Sequence, residues 1–271
     1  MIRLIATDID GTLVKESTPD IYPEILSVIR EWTERGGFFC VASGRQYYSI
    51  RHMFKKVSDR IVYLAENGAH VRCKNQNILV REMRREHVVE LMTQLRQYYD
   101  ECDVVVSSTE GSLIESRNDE FIKLIAEGYR NRYRVVDDVL AVPAEIIKIA
   151  IRREGTIREL GEKVLIPQWS DKLKACMAGE DWVDFMDVSV DKGNALRVIQ
   201  EHLGVTAAET MAFGDNDNDI GLLAAAGESY AVENARDSVK AKAKHVCPSY
   251  HEKGVYRVIE GMLRKMMEAD V

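Results

Sequence analysis

Two acidic clusters, each placed directly after a short apolar run, constrain this chain more than any other feature. Residues 3–7 form a largely apolar run that ends in Asp8-Ile9-Asp10-Gly11-Thr12-Leu13. Residues 210–213 run in the same way into Gly214-Asp215-Asn216-Asp217-Asn218-Asp219. Short apolar runs of this kind read as strands buried on both faces, the form that strands take in parallel sheets. Carboxylates crowded at a strand end repel one another and rise in pKa unless a cation is held among them. The clusters lie at opposite ends of the sequence, so only a fold that brings the two strand ends together can combine them.

The surrounding pattern predicts such a fold. Residues 22–35 carry Ile25, Leu26, Val28, Ile29 and Trp32 at helical spacing, with Pro23 near the start and Gly36-Gly37 at the end. Phe38–Ala42 is a second strand, a helical stretch with Ile50, Met53 and Phe54 follows Ser43-Gly44, and residues 60–64 are a third strand. Residues 69–72 and 78–80 flank Lys74-Asn75-Gln76-Asn77, a hairpin turn. From Lys192 the rhythm returns: helix 193–203, strand 210–213, helix 220–226, strand 229–232, helix 237–244 and a last amphipathic helix 255–267. The stretch between mixes helices at 88–99 and 119–132 with short strands at 104–107, 113–115, 134–136, 146–151, Lys174–Ala178 and 183–186. The expectation is an α/β parallel-sheet core of residues 1–82 and 187–271, interrupted by a smaller α+β domain at 83–186.

Composition removes several classes. With 46% hydrophobic and 30% charged residues, 17 Gly and 5 Cys in 271 residues, the chain reads as globular and not as a disordered, collagenous or disulfide-framed protein. A formal charge of -7 gives no broad basic footprint for nucleic acid. No apolar stretch is long enough to span a membrane, since Glu145 and Lys148 break the best one. Asp8 and Asp10 interrupt the only N-terminal apolar run, which argues against a secretion signal. Cys40, Cys73, Cys102, Cys176 and Cys247 form no C-x-x-C pair and are expected to be reduced, mostly buried thiols of a cytoplasmic protein. The six histidines show no ligand spacing.

Four groups carry chemistry. Asp8 and Asp10 stand two apart at a strand end. The Asp and Asn residues at 215–219 offer hard oxygen ligands suited to Mg²⁺, although an acidic helix N-terminus capped by Asn218 or Asp219 fits the same residues. An EF-hand does not fit, because Ala226 stands at the twelfth position counted from Asp215. Ser43-Gly44-Arg45, between a strand and a helix, offers a hydroxyl and backbone N–H groups to a phosphate, and alone reads equally as a turn or N-cap. Lys192, in Asp191-Lys192-Gly193-Asn194, would be a solvated lysine in isolation, but a phosphate flanked by carboxylates needs a fixed cation. All four fall at strand carboxyl ends or helix starts, where α/β sheets collect functional residues.

In this order the residues resemble the haloacid dehalogenase-like hydrolase superfamily, in its Cof-type subfamily with a large cap between the second and third motifs. Asp8 to Leu13 matches D-x-D-G-T-L, Ser43 the second motif, Lys192 the third, and Gly214, Asp215, Asn218 and Asp219 match G-D-x-x-N-D. Ala65-Glu66-Asn67-Gly68-Ala69 is similar to the turn that precedes the cap. Two departures are the approach to Lys192, where 187–191 lacks a Pro-x-Gly, and Gly221, where an apolar Met is common.

The resemblance implies a Rossmann-like core with an inserted cap. It also implies a Mg²⁺-dependent phosphatase of small phosphorylated metabolites, sugar phosphates first, working through an aspartyl-phosphate. It assigns Asp8 as nucleophile, with Asp8, Asp215 and the Asp10 carbonyl as metal ligands. The Asp10 side chain is the acid and base. Lys192, Ser43 and the backbone N–H groups near Gly44 balance phosphate charge, with Asn218 a polar contact to phosphate or Ser43. Asp219 orients Lys192 or a metal-bound water, Thr12 positions Asp10, and Arg45 and Asn67 contact substrate near the entrance. Tyr129, Tyr133, Glu110 and Trp169 are the cap residues considered for leaving-group selection. The expected partner is a small metabolite, with no nucleic acid and no membrane, and the expected state is a monomer or small homo-oligomer. A phosphomutase of the same fold and a non-catalytic phosphometabolite-binding protein are the alternatives.

Overall fold

The computed structural model describes residues 1–16 and 18–269. Its strands, in chain order, are β1 (Leu4–Asp8), β2 (Phe38–Ala42), β3 (Ile61–Ala65), β4 (His70–Cys73), β5 (Gln76–Val80), β6 (Asp103–Ser108), β7 (Gly111–Ile114), β8 (Tyr133–Val135), β9 (Ile146–Arg152), β10 (Lys174–Ala178), β11 (Trp182–Met186), β12 (Thr210–Gly214), β13 (Glu228–Val232) and β14 (His245–Cys247). The chain divides into two compact units, Met1–Leu79 with Asp191–Val271, and Val80–Val190.

The first unit is built on the sheet β14-β13-β12-β1-β2-β3-β4-β5. Neighbours from β14 to β3 run parallel, and β4 turns back antiparallel on β3. Every residue of β1, β3 and β12 is buried, as strands covered on both faces require. The hairpin forms as expected: Lys74 and Asn75 take positive φ (46° and 64°) between β4 and β5. The helix Pro23–Glu34 starts with Pro in its first turn and buries Ile25, Leu26, Val28, Ile29 and Trp32, the face read from the sequence. Because β1 is central and the chain winds away from it to both sides, the carboxyl ends of β1 and its neighbours β2 and β12 form the switch point of the sheet.

The inserted unit carries the sheet β10-β11-β9-β6-β7-β8. It is antiparallel apart from β7 and β8. One face packs Val104, Val106, Ile149, Ile151, Val183 and Phe185 into the main core of this unit, and the other places Val105, Ile114 and Ala150 against Phe121 and Ile125. The expected fold class, a parallel-sheet α/β core with a smaller α+β insertion, is observed.

Three elements differ from expectation. The helix expected over 119–132 stops near Gly128: Tyr129 bonds back five residues to the Leu124 carbonyl, and Arg130 turns left-handed at φ 54°. A broken helix, Arg158–Leu160 continuing through a wide turn at Gly161–Leu165 into Ile166–Trp169, has no counterpart in the sequence reading. Pro167 near the start of its last part obscures the helical pattern. The edge strand β14 occupies residues just beyond a helix expected to reach 244, and that helix ends at Lys240.

Candidate active site

Lys192 opens the helix Lys192–Leu203, and its N-cap Asp191 accepts from the Asn194 N–H at 3.0 Å. This helix packs on Ile220–Ala224 through two glycines, so closely that a Cβ on Gly193 would lie 2.2 Å from the Gly221 carbonyl oxygen. A Cβ on Gly221 would meet Asp191 Oδ1 at 2.7 Å, which accounts for a glycine where the family often has a larger residue. The approach delivers the Lys192 ammonium, 1% exposed, to the end of β1. There it donates to Asp8 Oδ1 and Asp219 Oδ1, both at 2.6 Å, with the Ala42 carbonyl at 3.4 Å.

The second acidic cluster folds around Asp219. Its Oδ2 accepts from the N–H groups of Asp215 (3.0 Å) and Asn216 (3.1 Å), so both of its oxygens are committed. Thr12 Oγ1 donates to Asp215 Oδ1 at 2.8 Å, which ties the first cluster to the second. Thr12 was expected to position Asp10, and its hydroxyl instead fixes Asp215. Gly11, at φ +84°, turns the chain where a Cβ would stand 2.3 Å from Asp215 Oδ2.

Ser43 is buried at the end of β2, where its Oγ accepts from the Arg45 N–H at 3.1 Å. The Arg45 guanidinium forks onto Asp10, Nε to Oδ2 at 2.7 Å and Nη2 to Oδ1 at 2.6 Å, and Nη2 also reaches the Thr18 carbonyl at 2.9 Å. Asn218 Nδ2 donates to Asn67 Oδ1 at 3.0 Å, and the Asn67 carboxamide lies beside Gly44. Glu66 and Asn67 hold this turn at positive φ, 49° and 56°. Thus Asp8, Thr12, Lys192, Asp215 and Asp219 form one connected group, Asp10 and Arg45 a second, and Ser43, Gly44, Asn67 and Asn218 are linked through the turns after β2 and β3. Asn234, which no motif contains, joins the group by donating to the Gly11 carbonyl at 2.7 Å. Its only sequence signal is an Asn shortly after a strand of the core, and that is too common to single out.

Electrostatics explain the arrangement. Side-chain oxygens of Asp8, Asp215 and Asp219 lie within 4.8 Å of one another, and the Lys192 ammonium is bonded to two of these carboxylates. Burial first, and the Asp219 charge second, push the Asp8 carboxyl well above the usual carboxylate range against the pull of Lys192. The same two causes push Asp215 up to about 6. For Lys192, burial acts to lower the pKa, and the Asp219 and Asp8 charges outweigh it and hold the ammonium above its ordinary value.

Asp8 Oδ2 is buried with no hydrogen-bond partner. An orphaned buried carboxylate oxygen beside Asp215, in a cluster with more carboxylates than cations, fits a divalent metal ion. Hard oxygen donors of this kind suit Mg²⁺. Asp219 belongs to the same cluster, but its commitments leave Asp8 and Asp215 as the side chains able to hold the ion.

Outside this site, Trp169 is 3% exposed, donates to Gln94 Oε1 at 2.7 Å and belongs to the core of the inserted unit, which removes it from the candidates for leaving-group selection. Tyr129 accepts from Trp182 Nε1 at 3.1 Å and packs on that ring, whereas Tyr133 and Glu110 are exposed. All five cysteines are free, and four of them are buried. No helix among the described residues is long and apolar enough to cross a membrane.

Fold and site together define an α/β protein with a lysine-buttressed carboxylate cluster at the switch point of its sheet. A family model of haloacid dehalogenase-like hydrolases matches residues 5–259, and the chain belongs to that family. Among curated proteins it is 28% identical over 263 residues to the 5-amino-6-(5-phospho-D-ribitylamino)uracil phosphatase YbjI of Escherichia coli, covering 97% of each chain. It is also 28% identical over 251 residues to the HMP-PP phosphatase of Cronobacter sakazakii, covering 91% of this chain and 89% of that one. A crystal structure of a Eubacterium rectale protein superposes with a TM-score of 0.87 at 35% identity, covering 96% of this chain and 99% of the other. The expected enzyme class, a phosphatase of this family, is the one these curated relatives carry.

Proposed function

We propose that the protein is a Mg²⁺-dependent phosphatase of small phosphorylated metabolites, with sugar or sugar-alcohol phosphates as its first class of substrate. The observation that carries the reading is the division of labour at Asp8: one oxygen held by Lys192, the other buried without a partner beside Asp215. The phosphoribityl group in the name of the Escherichia coli relative supports the substrate class.

A divalent ion held by Asp8, Asp215 and the Asp10 backbone carbonyl would offset the repulsion between a phosphate dianion and an attacking carboxylate. Asp8 attacks phosphorus in line and becomes an aspartyl-phosphate, and the bond to the leaving alkoxide breaks. Lys192 keeps Asp8 oriented and balances charge on the phosphoryl oxygens together with Ser43 and the N–H groups near Gly44. Asp10 gives a proton to the alkoxide and then removes one from the water that hydrolyses the aspartyl-phosphate. The Arg45 fork fixes the Asp10 carboxylate, and the second lone pair on each carboxylate oxygen stays open for the proton. Residues 83–186 act as the cap that selects the leaving group, with 1–82 and 187–271 as the catalytic core.

Asp8→Asn tests the assignment directly. Turnover of p-nitrophenyl phosphate is expected to fall by at least about 10³-fold, the scale of losing a covalent nucleophile. Residual turnover within tenfold of the parent would remove Asp8 from the role. Release of inorganic phosphate from phosphosugars, without isomerised product, separates the phosphatase from a phosphomutase.

A further inference from the structure

The segment after β13 carries a contact that lies outside all four motifs. Asn234 Nδ2 donates to the Gly11 carbonyl at 2.7 Å, and its Oδ1 accepts from the Tyr250 N–H at 3.2 Å. Two residues on, the Arg236 N–H donates to the Asp215 carbonyl at 3.0 Å. One short segment therefore grips both acidic loops, the one after β1 and the one after β12. The Arg236 side chain and Ser238 hold Asp217 at 2.7 and 2.5 Å, which anchors the same segment to the second loop again.

Gly11 is the point where the two loops meet most tightly. Its backbone leaves no room for a Cβ beside the Asp215 carboxylate, and Thr12, the next residue, donates to Asp215 Oδ1. The Gly11 carbonyl belongs to the peptide that leads into Thr12, and the Gly11 nitrogen shares a peptide with the Asp10 carbonyl. A rotation of the backbone at Gly11 therefore moves the Thr12 hydroxyl and the Asp10 carbonyl together. Asn234 is the side chain that holds the Gly11 carbonyl against such a rotation.

We infer that Asn234 is a positioning residue: it locks the Gly11–Thr12 turn against Asp215 and so sets the spacing of the oxygens offered to the divalent ion. The inference rests on the metal reading given above. Asn234 acts through Gly11 and takes no part in the chemical step. Groups that orient metal ligands in this way typically carry a 10–100-fold effect on affinity.

The experiment is a Mn²⁺ titration of the full-length protein without substrate, with free Mn²⁺ followed by electron paramagnetic resonance. Asn234→Ala is expected to raise the Mn²⁺ dissociation constant about tenfold, and the midpoint of Mg²⁺ activation should move by a similar factor. Thr206→Ala, which removes a cap from the short helical turn Ala207–Glu209 in the same unit, reports general loosening and is expected to bind Mn²⁺ as the parent does. Parent-like Mn²⁺ affinity in Asn234→Ala overturns the inference, and so does an equal loss in Thr206→Ala. Should Asn234→Ala not fold, Asn234→Ser is read in the same way. A parent protein that binds no Mn²⁺ overturns the metal reading itself and the inference with it, a result distinct from failure of the brace alone.

Discussion

Gly193→Ala probes how Lys192 is delivered. The new Cβ would stand 2.2 Å from the Gly221 carbonyl oxygen, whereas ordinary contact begins at 3.4 Å, so the two helices must part by about 1.2 Å (3.4 less 2.2). The obstacle is backbone, which no side-chain rotation relieves. Overpacking of this kind costs about 1–3 kcal/mol, and the better helix propensity of alanine returns about 1 kcal/mol of it. The larger consequence falls on geometry. Lys192 precedes Gly193 in the chain and makes two bonds of 2.6 Å, which a shift of that size would stretch beyond hydrogen-bond range. A misplacement of about 1 Å at a reacting group typically costs about 10²-fold in rate. The assay is kcat/KM for p-nitrophenyl phosphate at saturating Mg²⁺, with thermal melting in parallel. Gly221→Ala is the comparison, because its Cβ meets the end of the Asp191 side chain at 2.7 Å. Displacing that cap costs about 1 kcal/mol and leaves the helix backbone free to stay in place, so its rate loss should be much the smaller. If Gly193→Ala kept parent activity and stability, or if the two variants ranked the other way, glycine contact would not be what places Lys192.

Mg²⁺ at about 100 times its dissociation constant should stabilise the parent by about 2.7 kcal/mol. Asp215→Asn should abolish that gain in melts with and without Mg²⁺, and without metal it should match or exceed the parent at neutral pH, because the folded-state pKa of about 6 makes the Asp215 charge unfavourable there. In the inserted unit, Glu115 accepts from Arg96 Nε at 3.0 Å, from Arg96 Nη2, from the Tyr99 hydroxyl at 2.8 Å and from the Val139 N–H at 2.7 Å. Burial acts to raise its carboxyl, and these partners outweigh burial and lower it. Its contribution to stability is therefore complete above the unfolded pKa of about 4.3 and lost as pH falls through the lower folded value. Glu115→Gln should flatten this acid limb in melts between neutral pH and pH ~3, and an unchanged limb would refute the assignment.

What was legible in the sequence follows from how each feature is encoded. Buried parallel strands are written as continuous apolar runs, so β1, β2, β3 and β12 are found within one residue of their ends. The carboxylates of the site stand directly after two of those strands, and a cluster of like charge at such a place has few structural reasons to exist. Pairings across the fold are not encoded locally. Thr12 stands two residues from Asp10, yet its hydroxyl goes to Asp215, since Gly11 turns the chain toward the second loop. Arg45 read as a substrate contact, and the structure adds a pairing not encoded locally, with its Nε and Nη2 on Asp10 and the Thr18 carbonyl. The helix around Gly161–Leu165 escaped because its wide turn and Pro167 break the 3.6-residue period on which such readings depend.

Lys192 and its carboxylates also show why this site is not a device for stability. Burying ions is unfavourable unless each is fully matched, and well-packed apolar residues often serve the fold as well or better. Here Lys192 and Asp219 are fully matched, but Asp8 is matched on one oxygen only and Asp215 is pushed up by burial and by the Asp219 charge. The shortfall is confined to the two carboxylates that face each other across the switch point. A fold selected for packing alone would remove it by a neutral substitution at either position. The unpartnered oxygen of Asp8 beside Asp215 is therefore the feature on which the proposed divalent-ion site rests, and the comparison of parent and Asp215→Asn melts with and without Mg²⁺ is its direct test.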